Sequence, residues 1–333
     1  MKDGSTLRRS ILAAGFVAGV VAFGAVRSAH AEVEIKFPIK VNASTERGIM
    51  TQRFGDELAK ATNGRYKLTI YPGGQLYGGA KAAKAVALGN VQMTNEPNSG
   101  FTGFTKNANI IELPFGFRDE KHFQSYIRGS KSAAIRKDLD AAGFHVLALF
   151  DEGPFVIASR TKLIKEPADF KGQVIRTSGH PVVVSGLKGM GASTVKIALN
   201  EVYSAIQQGT ITGVYTTFDA FINEKLYEVA PNVLMFPSYG AYFWVANKAW
   251  WNTLPEADRK LMDDLAVKLG KEYDELIWKK MDQFKAALAK GGGTLNDPTR
   301  SAGAVDRFQK AMSKTYDKLR AEFGKERVDE ILN

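Results

Sequence analysis

From Glu34 onward, short runs rich in β-branched and aromatic residues alternate with runs whose apolar positions recur every three or four residues. That alternation predicts an α/β protein with a largely parallel sheet. Ile35-Lys36-Phe37-Pro38-Ile39 opens the series, and Tyr66–Tyr71 (YKLTIY) alternates as a strand. Between them, Glu46–Ala61 predicts a helix that buries Ile49, Phe54 and Leu58 and stops at Asn63-Gly64. A helix over 80–88 stops at Gly89 and leads into a strand-like segment, 91–94. Further strand-like runs fall at 144–150, 155–158, 174–176 and 233–236. The spacing of Leu261, Leu265, Leu269, Ile277, Met281, Phe284 and Leu288 predicts one helix over 255–290, opened by a Thr253/Glu256 capping box and closed by Gly291-Gly292-Gly293. Unbroken, it would exceed about 50 Å, more than one small lobe is wide, so it is expected to brace two lobes. No internal repeat or low-complexity linker is visible, and several crossing strands are expected to join the lobes.

The segment before this pattern differs in kind. Lys2, Arg8 and Arg9 precede an uncharged apolar run, 11–26, and Ala29-His30-Ala31 offers a small-residue cleavage site. Residues 1–31 are therefore expected to be an export signal, by the general or the twin-arginine route, with Glu32 the first mature residue. Its apolar run falls short of the roughly 18 to 20 residues that span a bilayer. Without Lys2, Arg8, Arg9, Arg27 and Asp3 the net charge falls from +10 to +7. The remaining lysines are scattered, which speaks against a nucleic-acid groove and leaves a mild bias toward anionic solutes. The chain has no cysteine, so disulfides, thiol catalysis and cysteine-ligated metals are excluded. About 300 mature residues exceed one typical core, which again points to two lobes.

Motifs that would make an enzyme are absent. His122, His145 and His180 remain after the signal, and none has metal-binding spacing. His145 lies in an apolar strand and is expected in the core; His122 is on a charged helix; His180 follows Arg176 by four residues at a helix start. There is no Gly-x-Ser-x-Gly elbow, and Gly74–Gly79 lacks the Lys-Ser/Thr of a phosphate loop.

One segment, 166–213, carries more. Strand Val174-Ile175 leads into Arg176 and a Pro181 turn, which puts a guanidinium at the carboxyl end of a strand, the edge where open α/β sheets bind ligands. Its planar fork suits a carboxylate. Around it stand Lys171-Gly172, Met190-Gly191-Ala192, Glu201-Val202-Tyr203 and Gln207-Gln208-Gly209. With YPGGQLYGG at 71–79, ALGNVQM at 87–93, IIELPFGFRDEKHF at 110–123 and ANKAWWNTLP at 246–255, these blocks resemble, in order, the solute-binding proteins of tripartite ATP-independent periplasmic (TRAP) transporters. The resemblance covers nearly the whole mature chain. It implies a type II-like two-lobed periplasmic binding protein with crossing strands and a long lobe-spanning helix, the lobes being 32–154 plus 241–282 and 155–240 plus 283–333. It also implies no cofactor, no metal, a monomer, and delivery of the ligand to membrane subunits of the transporter. Arg176 takes the position of the family's carboxylate-binding arginine.

Departures from the family pattern narrow the ligand. A second arginine of the sialic-acid branch falls on Val156, and the frequent Glu-Asn pair is replaced by Tyr215-Thr216. The missing acid disfavours a metal-bound 2-oxo acid. Phe155, Tyr215, Phe218, Tyr239 and Tyr242 are expected near the cleft, which suggests a monocarboxylate with an apolar or aromatic body. Thr216 joins them, and Asn42, Tyr77, Glu96 and Asn98 sit in loops after strands of the first lobe. The alternatives are a receptor for a short dicarboxylate or 2-oxo acid, its second carboxylate met by His180, Lys196 or a backbone nest, a receptor that feeds a membrane sensor, and an exported α/β enzyme using His180. Trp250-Trp251 is read as a packing anchor.

Overall fold

The computed structural model describes residues 32–332, and these form one compact unit. The export signal read at 1–31 lies outside the described residues. Among those described, no helix is long and apolar enough to cross a membrane.

Strands β1 (Val33–Pro38) and β2 (Tyr66–Tyr71) pair in parallel, Val33 opposite Tyr66. In β1 the period of two places Ile35 and Phe37 inward, both fully buried. The helix Glu46–Ala61 connects the two strands, with Thr45 capping it by accepting from the Gly48 amide. Its buried stripe is Met50, Phe54 and Leu58, whereas Ile49 is 46% exposed, one position off the expected face. Phe37 and Phe54 close on Trp244 at centroid distances of 5.8 and 4.8 Å and centre the first core.

The second sheet is mixed. Its order is β3 (Met93–Pro97), β8 (Asn232–Asn247), β4 (Phe144–Ser159), β7 (Gly213–Thr217), β5 (Val174–Thr177) and β6 (Ser193–Lys196), with β9 (Thr294–Asn296) beside β8. Strands β5, β6 and β7 run parallel, as do β8 and β9, but β3, β4, β7 and β8 meet antiparallel. The expectation of a largely parallel sheet is therefore corrected. Its cause is the joining of 144–150 with 155–158, and the extension of 233–236, into two antiparallel strands of 16 residues each. One half of each strand packs on the Trp244 core, and the other half packs on a second core that contains Val156, Val233, Phe218 and Phe284. These are the crossing strands that the two-lobed reading requires.

Midway, the β4/β8 register slips between Asp151 and Pro154 and again between Pro154 and Phe155. Pro154 cannot donate to the ladder, which suits it to an irregularity. Gly153 has φ +86°, and a Cβ there would meet the Ile277 Cγ2 at 2.5 Å. No side chain satisfies both demands, so glycine sets how closely the long helix approaches the crossing.

That helix spans Glu256–Lys279, about 36 Å at the usual rise, and Met281–Lys290 continues it as a separate helix. The single helix expected over 255–290 thus breaks at Lys280, where no proline or glycine occurs. Contacts at the break supply a physical reason: the Trp278 Nε1 donates to Asp151 Oδ2 at 2.9 Å, and Lys280 pairs with Glu46. No capping box forms at the start, because the Thr253 hydroxyl donates to the Trp250 carbonyl and Pro255 occupies the cap position. Trp251 packs against His145, whose ring stacks on it at 4.1 Å while reaching Asp263 at 2.8 Å. His145 is thus half-buried beside Asp263 and Trp251 instead of in the core.

Gly153→Ala is expected to lower stability by roughly 2–4 kcal/mol, from positive-φ strain plus overpacking against Ile277. Urea unfolding checks this, and a loss below about 0.5 kcal/mol would remove Gly153 from its role in the crossing.

Candidate functional site

Arg176 is the third residue of β5, held between β6 (opposite Val195) and β7 (opposite Val214). Parallel partners on both sides fix its backbone, so the side chain leaves a rigid platform near the strand's carboxyl end. The residue is 4% exposed. Its Nε donates to the Ile197 carbonyl at 2.9 Å and its Nη1 to the Tyr215 carbonyl at 3.4 Å. Burial pulls its pKa down to about 10, and no acid offsets that cost. A buried cation hydrogen-bonded only to carbonyls is held at a cost unless an anion joins it.

The guanidinium lines a cavity of about 110 Å³. Lys40, Arg47 and Ser99 border it from the β1 and β3 side; Leu199, Thr216 and Thr217 border it from the Arg176 side. Arg47 is the second residue of its helix, where a cation opposes the helix dipole. Its Nη1 donates to the Asn95 carbonyl at 2.9 Å and lies 3.9 Å from Glu96 Oε2, and the guanidinium covers the Tyr242 ring at 4.2 Å. Glu96 also accepts from the Lys40 amide at 2.9 Å. Lys40 is exposed at the rim, and its pKa is lowered by desolvation of its amino group, with Glu96 opposing and Arg176 and Arg47 adding repulsion.

Two further carboxyls face the cavity. Glu112 is 2% exposed, accepts from the Tyr215 hydroxyl at 3.2 Å, and is pushed up to about 8 by burial. Glu152, in the β4 irregularity, is buried against Gly240, where a Cβ would stand 2.9 Å from its Oε1. That oxygen has no hydrogen-bond partner. Burial, then the neighbouring Glu112, raises the Glu152 pKa well above the carboxylate range.

Of the residues expected at the site, Arg176, Phe155, Tyr215, Thr216 and Tyr242 line this cavity together. Glu96 is fully buried behind Lys40 and Arg47. Asn98 is buried as well, donating to the Ala108 carbonyl at 3.0 Å and accepting from the Ala241 amide at 3.2 Å. Its side-chain nitrogen also lies 3.1 Å from His180 Nε2. His180 is buried, its pKa pushed down to about 3 by desolvation, so it is a neutral packing partner of Asn98 and offers no cation to a second carboxylate. Phe218 is fully buried in the second core beside Phe284, away from the cavity. Asn42 is exposed, and Tyr77 is half-buried against the core. Tyr239 lines a different cavity of about 370 Å³ with Arg118, Trp278 and Arg300; Phe155 borders both. The larger cavity also carries cations, but Asp119, Glu120 and Asp297 line it with them, whereas the Arg176 guanidinium lines the smaller one with no acid acting on it.

Residues 39–322 match the family described as bacterial extracellular solute-binding protein, family 7. The chain belongs to this family. It is the receptor family of TRAP transporters, whose members are periplasmic, work with membrane subunits, and are receptors rather than enzymes. A solute-binding protein of Verminephrobacter eiseniae is 28% identical over 305 residues, 91% of this chain and 90% of that one. A TRAP solute-binding protein of Sulfurospirillum deleyianum solved with bound succinate has a TM-score of 0.81 at 24% identity, covering 90% of this chain and 98% of its own. The sugar-acid-binding protein of Advenella mimigardefordensis, solved with galactonate, gives 0.83 at 19%, over 90% and 97%. Both structures share the two-lobed fold with this receptor.

Sequence reasoning passed over Arg47, Lys40, Glu112 and Glu152. Signals existed for three of them. Glu112 and Glu152 interrupt apolar runs (IIELPF, LFDEGPF), where an acid must be buried, and Arg47 is a cation in the first turn of a helix.

The raised carboxyl pKa values set the pH dependence of the ligand-free receptor. A group that binds its proton more tightly when folded stabilises the fold fully below its unfolded pKa, and that stability is lost as pH rises through the folded value. For Glu112 the window runs from about 4.5 to about 8; Asp151, raised to about 6, and Asp274, raised to about 8, act in the same direction. The melting temperature is therefore expected to fall from pH 5 to pH 8. Glu112→Gln should flatten the slope by up to about 1.4 kcal/mol per pH unit, and an unchanged slope would mean that Glu112 titrates normally.

Proposed function

We propose that this receptor captures a short, polar organic acid in the periplasm, grips its carboxylate with Arg176 as the lobes close, and hands it to the membrane subunits of a TRAP transporter. The observation that carries the reading is a buried guanidinium with no acid against it, lining a cavity whose walls come from both sides of the β4/β8 crossing. In this reading 32–154 with 241–282 form one lobe and 155–240 with 283–333 the other. Lys40 and Arg47 then belong to the first and Arg176, Thr216 and Leu199 to the second, so closure brings the walls together and takes the carboxylate out of water.

The geometry speaks against the apolar or aromatic ligand body suggested by composition. Phe155 and Tyr215 stack on one another at 4.8 Å, and the Tyr242 face is covered by Arg47. Those rings are already occupied, while charged groups border the remaining space. The succinate and galactonate held by the two structural neighbours are polar acids of this kind.

A thermal-shift screen of polar carboxylates tests the reading. A ligand at one hundred times its dissociation constant stabilises by about 2.7 kcal/mol, a rise of several degrees. Arg176→Ala should weaken binding at least about 100-fold, in line with the roughly 2–5 kcal/mol lost when one partner of a buried charge pair is truncated. Its own melting temperature should stay close to the parent's, because the change also removes an unpaired buried charge. Equal ligand shifts in parent and variant would place the carboxylate elsewhere.

A further inference from the structure

The cavity holds charge-bearing groups of both signs that do not meet. At one wall is Arg176, whose donors reach only the Ile197 and Tyr215 carbonyls. At the other are Glu112 and Glu152, both nine-tenths buried or more. The basic group nearest Glu112 is His180, 3.7 Å away and neutral; Lys40 and Arg47 influence Glu152 from beyond ion-pair distance, and Arg47 is committed to Glu96, Asn95 and Tyr242. Glu152 Oε1 accepts no hydrogen bond, and Gly240, by lacking a side chain, leaves it room.

Buried polar groups of a folded protein are nearly always partnered; Glu152 lines the cavity while its Oε1, buried against Gly240, has no partner, so the carboxyl as a whole is short of a donor. A ligand that satisfies both walls must have the opposite polarity, negative toward Arg176 and positive, with N–H donors, toward Glu152. Building on the carboxylate reading above, we propose that the preferred solute is a short zwitterion, an amino acid or aminoalkanoate whose ammonium donates to Glu152, with Glu112 completing the negative wall. A hydroxy acid would supply one neutral donor there, and an ionised dicarboxylate would supply none. Burial holds both acids above the usual carboxylate range, although Arg47 and Lys40 pull Glu152 the other way, and an arriving ammonium would favour the ionised form of the carboxyl it meets.

Isothermal titration calorimetry at pH 7 tests this with matched probes: glycine, β-alanine and 4-aminobutyrate against glycolate, 3-hydroxypropanoate, 4-hydroxybutyrate and succinate. At least one amino acid is expected to bind 10-fold or more tightly than its hydroxy partner. The near-isosteric Glu152→Gln should erase that ratio while changing hydroxy-acid affinity less than about 3-fold, and Arg176→Ala should weaken both series. Hydroxy acids or succinate binding more tightly than every amino acid, still dependent on Arg176, would overturn the zwitterion and leave the carboxylate reading standing. An amino-acid preference that survives Glu152→Gln would also overturn it. Binding that ignores Arg176→Ala, or no binding in any series, would overturn both.

Discussion

Arg176 is a full charge taken out of water and met only by backbone carbonyls, and the strands that flank β5 keep it there. Carbonyl dipoles recover part of the lost hydration but cannot neutralise the charge, so the ligand-free receptor carries a local instability. Pairing on both sides by β6 and β7 prevents the strand from relaxing to expose the side chain. The stacked Phe155 and Tyr215 then act as structure: they wall the cavity and position the Tyr215 carbonyl and hydroxyl, one toward Arg176 and the other toward Glu112. In the proposed binding mode, closure and binding are coupled, because the groups that face Arg176 across the cavity lie on the other side of the crossing strands.

The first-lobe wall shows the same economy. Arg47 opposes the dipole of its own helix, a cost of a few tenths to about 1 kcal/mol. It is held there by the Asn95 carbonyl, the Tyr242 ring and, more distantly, Glu96. Glu96 in turn fixes the Lys40 backbone through its other oxygen. Those contacts make the wall rigid, and they explain why Glu96, an attractive loop acid in the sequence, serves a supporting position behind the cavity.

Legibility followed the length scale of the physics involved. Period-two and period-3.6 patterning located β1, β2, the helix Glu46–Ala61 and the long C-terminal helix, because each depends mainly on residues within itself. Arg176 was legible because a strand end and its following turn are local too, and the ordered family blocks gave that position meaning. The antiparallel joining of β4 and β8 was not, since pairing is decided by residues about 90 apart in the chain. The break at Lys280 was equally hidden, lacking a proline or glycine and depending on Trp278 and Glu46 contacts made elsewhere. Phe218 and Tyr239 are expected near the cleft from sequence, whereas in the structure Phe218 is fully buried and Tyr239 lines the separate, larger cavity.

The slip in β4 connects these strands of argument. Successive side chains of a strand point to opposite faces, so Asp151 and Glu152 diverge. Asp151 turns to the long helix, accepting from the Trp278 indole, while its backbone amide donates to Asp274. Glu152 turns to the cavity. Gly153 and Pro154, one a positive-φ residue and the other without an amide, interrupt regular pairing, which resumes at Phe155. The cavity wall at Glu152 and the anchor of the helix break at Asp151 therefore share one stretch of backbone. Four consecutive residues thus join the cavity wall to the long helix without a longer relay, and a substitution at Gly153 is expected to be felt on both sides because no slack backbone separates them.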